Sequence, residues 1–129
     1  MIVLDASVVV ELVLGTEAGR AVENRIADSD LGLHAPHLLD VEVAQVVRRS
    51  VLLGQVTEER GRRALDHLLA LDVARYPHEA LLPRVWELRS NLSAYDAAYV
   101  ALAEALDAPL VTRDRGLADV PGLVERRLS

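Results

Sequence analysis

The chain lacks cysteine, lysine and phenylalanine altogether, and aromatic residues fill only 3% of its 129 positions. Without cysteine there can be no disulfide, no thiolate-bound zinc and no cysteine nucleophile. Without lysine, a Walker-type phosphate loop and Schiff-base chemistry are excluded. All 14 basic residues are therefore Arg. So few rings cannot pave an RNA-binding sheet face, which makes Tyr95, Tyr99 and Trp86 expected core or interface residues. No apolar run is long enough to span a bilayer, and Asp5 and Glu11 interrupt the N-terminal apolar stretch that a leader would need. The expectation is a soluble, cytoplasmic protein with no membrane partner.

Apolar residues make up 51% of the chain, enough at this length for one compact domain spanning residues 1–129. The stretch SAYDAAYVALAEALDAPLVTRD, Ser93 to Asp114, organises the rest. Ser93 with Asp96 three residues later fits a capping box, so a helix is predicted over Ala94–Leu106, ended by Asp107-Ala108-Pro109. A short apolar run, residues 109–112, then reads as a buried parallel strand that delivers Thr112 and Asp114 to its C-terminal end. Upstream, residues 1–4 read as a strand followed at once by Asp5, residues 8–14 as a helix, and Glu17–Ala27 as a second helix capped by Thr16, with Ala21, Val22 and Ile26 inward. A strand over 31–35 precedes a helix over 36–53 that starts at Pro36 and stops at Gly54. Thr57 opens the next helix, to residue 71, with Leu65, Leu68 and Leu69 facing in. Val73–Tyr76 is a strand, 79–90 a helix with Pro83 in its first turn, 115–120 a turn or short helix, and 123–128 an edge strand. The alternation implies an α/β fold with a mostly parallel central sheet of four to five strands, flanked by helices on both faces.

Four acids stand out against this frame. Asp5 and Asp114 immediately follow apolar strands, so a parallel sheet brings both to one edge, the edge where open α/β sheets build their sites. Helical spacing from Asp96 reaches Tyr99, Val100 and Ala103, an inward face; Glu42 interrupts the stripe of Leu38, Leu39 and Val46. Each acid alone is ordinary, and a helix cap or a boundary glutamate explains it. Four carboxylates at one sheet edge need a neutralising cation, and an oxygen-only ligand set favours Mg²⁺ or Mn²⁺ over zinc. Ser7 and Thr112 flank two of the acids and could orient them.

The Val-Leu-Asp5-Ala-Ser7 opening, Glu42 in the third helix, the Tyr-Asp96-Ala-Ala-Tyr-Val-Ala-Leu-Ala segment and Val-Thr112-Arg-Asp114 together resemble a PIN-domain ribonuclease of the VapC toxin type. The resemblance spans the whole chain. It implies a PIN fold, Asp5, Glu42, Asp96 and Asp114 as ligands of one or two Mg²⁺ or Mn²⁺ ions, Ser7 and Thr112 in support, and RNA as substrate. It also implies a homodimer and a small VapB-like antitoxin that occludes the site. Phosphate gripping, with lysine absent, falls to Arg.

Other features read more blandly. The net charge of -6 argues against bulk electrostatic binding of nucleic acid, although ions bound by clustered carboxylates reverse charge locally. Arg48-Arg49, Arg62-Arg63 and Arg126-Arg127 are explained by solvated faces, while Arg113 and Arg115, beside the site, are candidate RNA contacts. His34 and His37 lack the partners of a zinc site and are read as structural. Two other function classes are weighed. A catalytically silent α/β binding module would use the acids as caps and surface charges. A phosphoacceptor domain of the receiver or haloacid-dehalogenase kind fails, because such sites use a Lys.

Overall fold

The computed structural model describes residues 1–27, 32–114 and 125–127. Five parallel strands form one sheet in the order β3-β2-β1-β4-β5: β1 Ile2–Leu4, β2 Leu33–Pro36, β3 Val73–Tyr76, β4 Leu110–Thr112 and β5 Glu125–Arg127. Among the described residues six α-helices lie between the first four strands: α1 Ala6–Leu14, α2 Glu17–Ala27, α3 Leu38–Leu52, α4 Glu58–Ala70, α5 Leu82–Glu87 and α6 Ala94–Leu106. β1 lies at the centre, between β2 and β4, and all three of its residues are buried. A strand buried on both faces has no polar side to spare, which is why it reads as unbroken Ile-Val-Leu.

From β1 the chain steps to β2 and then β3, reverses past its own start to β4, and ends beside it at β5. Right-handed crossovers running in opposite directions put their helices on opposite faces. Accordingly α1 packs with α2, α3 and α4, while α6 packs on β1, β2 and β4 with α5 beside it. Seven consecutive residues of α6, Ala97 to Ala103, are buried, and four of them are Ala. Small side chains let that helix lie close on the sheet, and each fully buried Val or Leu against it contributes roughly 1.5–3 kcal/mol of transfer free energy.

Several boundaries differ from the sequence reading, each for a local reason. α1 starts at Ala6 rather than residue 8, because the Asp5 side chain caps it by accepting from the Val8 N–H at 3.3 Å. Pro36 closes β2 rather than opening α3: it pairs in register with Tyr76, and the next N–H, of His37, bonds the Tyr76 carbonyl at 2.8 Å. The predicted helix over 79–90 is a 3₁₀ turn, Glu79–Leu81, followed by the short α5. Pro83 explains the break, since it has no N–H to bond the carbonyl of Glu79. The inward stripe of α3 is Leu39, Val43 and Val47; Val46 is exposed. Leu69, Trp86 and Tyr95 are exposed as well, and so is Ala21, so none of these is a core residue. Trp86 instead carries the Arg89 guanidinium 4.5 Å above its ring. The stretch 115–120 lies outside the described residues, and of the last strand predicted over 123–128 the residues 125–127 are described, as β5.

Candidate active site

The order of strands reverses between β1 and β4, and such a switch point is where open α/β sheets form a crevice beyond the C-terminal ends of their strands. Asp5 is the first residue after β1, and Asp114 stands two residues after β4. The hollow at this point measures about 390 Å³. Asp5, Glu42, Asp96 and Asp114 all line it, together with Ser7, Arg113 and Tyr99. Four separate elements deliver these acids, which is why no short motif contains more than two of them.

Asp5 is only 4% exposed, and its carboxylate accepts three hydrogen bonds. Ser7 Oγ donates to its Oδ1 at 2.6 Å, and Thr112 Oγ1 donates to its Oδ2. Both hydroxyls also accept from the chain after β4: Ser7 from the Arg113 N–H at 3.0 Å, Thr112 from the Asp114 N–H at 2.9 Å. Asp5 thus ties the end of β1 to the end of β4, and two hydroxyls fix both of its oxygens. Burial pushes its carboxyl above the usual carboxylate range, against the opposing pull of Ser7, Thr112 and the Val8 N–H.

Glu42 and Asp96 are half-buried on α3 and α6. Desolvation pushes the carboxyl of each above its ordinary pKa; the neighbouring acids add to the rise, Asp96 and Asp5 acting on Glu42 and Asp114 acting on Asp96. The capping box expected at α6 is half formed. Ser93 Oγ accepts from the Asp96 N–H at 3.2 Å, but among the described residues no return bond runs from the Ser93 N–H to the Asp96 carboxylate. That carboxylate lines the cleft instead. Nor does any Arg among the described residues form an ion pair with Asp5, Glu42 or Asp96.

A hard divalent cation suits the carboxylates of Asp5, Glu42 and Asp96, which are partly desolvated, repel one another and form no ion pair with an Arg among the described residues. The side chains do not form a closed ligand cluster as they stand: among the described residues, no three His, Cys, Asp or Glu are grouped so as to hold an ion. Gathering them round one would take rotation of the half-buried carboxylates, while Asp5 is already fixed.

Arg113 is exposed at the rim of the cleft; Arg115 lies outside the described residues. His34 bonds Tyr76 through Nδ1 at 2.7 Å, and His37 meets His78 edge-on, so both are accounted for within the sheet edge. Sequence reasoning missed two participants. Glu11 lines the cleft with its carboxylate bonded to Thr16 Oγ1 at 2.5 Å, and Tyr99, expected as a core or interface residue, puts its hydroxyl 2.7 Å from Glu42 Oε1. The helical spacing of Tyr99 from Asp96, three residues, was the available signal for the second.

A family model for the PIN domain matches residues 2–123. The chain belongs to the PIN-domain family. Among PIN proteins it is 47% identical to Ribonuclease VapC1 of Mycobacterium tuberculosis over 122 residues, covering 94% of this chain and 91% of that protein. Ribonuclease VapC12 of the same organism is 43% identical, over 95% of this chain and 93% of its own. The PIN fold is equally plain in solved structures. PAE2754 from Pyrobaculum aerophilum superposes with a TM-score of 0.70 at 27% identity, over 96% of this chain and 82% of that one. VapBC2 from Rickettsia felis, solved bound to a DNA fragment from its promoter, gives a TM-score of 0.74 at 18% identity over the full length of both chains.

Proposed function

We propose that this PIN domain is a metal-dependent endoribonuclease acting as the toxin of a toxin–antitoxin pair. Its kinship with the VapC ribonucleases, at 43% to 47% identity over most of both chains, supports the ribonuclease activity. The observation that carries the metal dependence is electrostatic. Asp5, Glu42 and Asp96 share a crevice at the sheet's switch point, all three carboxyls sit above their ordinary range, and no cationic side chain among the described residues pairs with them. Helix capping accounts for one bond of Asp5 but not for Glu42, which lies mid-face on α3.

In this reading Asp5, Glu42, Asp96 and Asp114 hold one or two Mg²⁺ or Mn²⁺ ions. Ser7 and Thr112 keep Asp5 oriented, each being itself anchored by a backbone N–H of the Arg113-Asp114 segment. Arg113 contacts RNA phosphates from the rim, and Arg115, on the sequence reading alone, contacts them too. The ion supplies a more acidic water as nucleophile and positive charge for the phosphate oxygens. No protein nucleophile is required, in keeping with a chain that has no Cys and no Gly-x-Ser-x-Gly elbow. A VapB-like antitoxin as partner and a homodimer as the working assembly belong to the same proposal and rest on that kinship.

The purified, antitoxin-free protein should cut RNA in Mg²⁺ or Mn²⁺ and stop when the ion is chelated. Undiminished cleavage in excess EDTA would overturn the metal mechanism.

A further inference from the structure

Glu42 differs from Asp5 in how it is held. Asp5 is fixed by two hydroxyls and a backbone N–H, whereas Glu42, on a longer side chain and half-exposed, receives a single hydrogen bond among the described residues. That bond comes from Tyr99, whose ring is 1% exposed and ranks among the largest wholly buried side chains. The rest of the ring is packed in the core, so its hydroxyl cannot wander. Asp96 and Tyr99 stand one turn apart on α6 and both line the cleft, one as a ligand candidate and the other as donor to the acid on α3.

We infer that Tyr99 is a positioning residue: its buried hydroxyl engages Glu42 Oε1, fixing the Glu42 carboxylate relative to Asp96 for the ion they share. The proposal rests on Glu42 and Asp96 being metal ligands. Three further observations bear on it. A phenol keeps its proton at neutral pH, so the hydroxyl is available there as a donor to the Glu42 carboxylate. The stripe that anchors α3 is Leu39, Val43 and Val47, so packing alone does not set the Glu42 rotamer. A flexible glutamate would lose rotamer freedom on binding an ion, and a hydrogen bond that fixes it beforehand reduces that loss. Outer bonds of this kind, from a group that does not touch the metal, change metal affinity by 10- to 100-fold elsewhere, roughly speaking.

The test is a Mn²⁺ titration of the full chain by calorimetry, with no RNA present, for wild type, Tyr99→Phe, Glu42→Gln and the double variant. Tyr99→Phe should weaken Mn²⁺ binding on the order of tenfold. Glu42→Gln should weaken it at least as much, and adding Tyr99→Phe to Glu42→Gln should cost little more, because the residue Tyr99 acts through is already disabled. If Glu42→Gln weakens binding while Tyr99→Phe leaves it unchanged, the positioning role is wrong and the ligand assignment stands. If Tyr99→Phe costs as much with Gln at position 42 as with Glu, the hydroxyl acts on folding rather than on Glu42, and the proposal is likewise overturned. If Glu42→Gln binds Mn²⁺ like wild type, or wild type binds none, the ligand assignment itself fails and the proposal with it. Should Tyr99→Phe fold poorly, Glu42→Asp asks the same question from the solvent side, since the shorter arm keeps the charge but withdraws it from the hydroxyl. A Glu42→Asp affinity equal to wild type would equally overturn the role.

Discussion

Two hollows on this molecule invite comparison. The larger, about 810 Å³, runs between α3 and α4 and is lined by Val47, Val51, Leu52 and Leu65 with Arg48, Glu59 and Arg62 at its margin. The smaller, about 390 Å³, is the acidic crevice beyond β1 and β4. Volume favours the first. Charge separates them in the other direction: on α4, Glu59 pairs with Arg63 at 2.8 Å and Arg62 with Asp66 at 3.5 Å, each across one helical turn and exposed to solvent. In the crevice Asp5, Glu42 and Asp96 are desolvated and have no cationic partner among the described residues. A groove between helices arises wherever ridges fail to interdigitate; unbalanced, half-buried carboxylates cost free energy, so their retention at one place points to a use.

The comparison is broken most directly at Asp5. Asp5→Asn keeps the size and the cap but removes the charge and presents an amide to the hydroxyls of Ser7 and Thr112, both of which need an acceptor. RNA cleavage should fall by at least about 100-fold while the circular dichroism spectrum is kept. A single-turnover rate within about threefold of wild type would mean that the crevice is not the site of chemistry.

Next in size is the response to metal. A ligand that binds only the folded state raises stability by RT ln(1 + [L]/Kd), about 2.7 kcal/mol at 100 times Kd, so Mn²⁺ should raise the melting temperature by several degrees. Asp96→Asn should lose most of that rise. Without metal the variant should be as stable as wild type or more so, because it removes a carboxylate raised by burial and by Asp114. The sign with pH follows from the same groups. Asp5, Glu42 and Asp96 have folded-state values above the ordinary 3.8 for Asp and 4.5 for Glu, so the folded chain binds more protons there than the unfolded one. Metal-free stability from these groups is therefore present below the ordinary values and is lost as pH rises through the raised ones. Mn²⁺ binding needs the deprotonated acids, so the metal-induced rise should shrink as pH falls into that window. An Asp96→Asn variant that is less stable than wild type in EDTA, yet shifts fully with Mn²⁺, would return Asp96 to a mere helix-start acid.

How much of this was legible in sequence depends on what each feature needed. The sheet was legible because Ile2-Val3-Leu4 and Leu110-Val111 are short apolar runs closed at once by polar residues, a pattern that survives without tertiary information. α6 was legible to the residue, since Ser93 caps it and Asp107, in the left-handed conformation, ends it. That Asp5 and Asp114 would share an edge followed from parallel strands alone. What could not be read was anything decided between elements. Pro36 suits a helix start by its φ, but β3 claims it by register; Leu69 fits the α4 stripe by spacing, but no neighbour covers it. Tyr99 belongs to the same class, because nothing in its own segment says that Glu42, 57 positions away, ends beside its hydroxyl. Arg115 lies outside the described residues, and its part in RNA contact rests on the sequence alone.

The smallest expected effect probes the other hollow. Glu59→Gln removes one member of an exposed ion pair at the margin of the α3–α4 groove and leaves Arg63 in solvent, where water replaces the lost partner. Exposed pairs four residues apart on a helix are worth about 0.3–0.5 kcal/mol, because their Coulomb attraction is screened and ordering two long side chains opposes it. Glu59 also stands in the first turn of α4, where a carboxylate meets the positive end of the helix dipole, so neutralising it forfeits a comparable amount. The sum remains under about 1 kcal/mol, a fall of a few degrees at most in the thermal midpoint. RNA cleavage rate and the Mn²⁺-induced rise should both be unchanged, since nothing connects this pair to the acids of the crevice. If Glu59→Gln instead alters cleavage as strongly as it alters melting, the groove takes part in catalysis, and the separation of the two hollows by unbalanced charge does not hold.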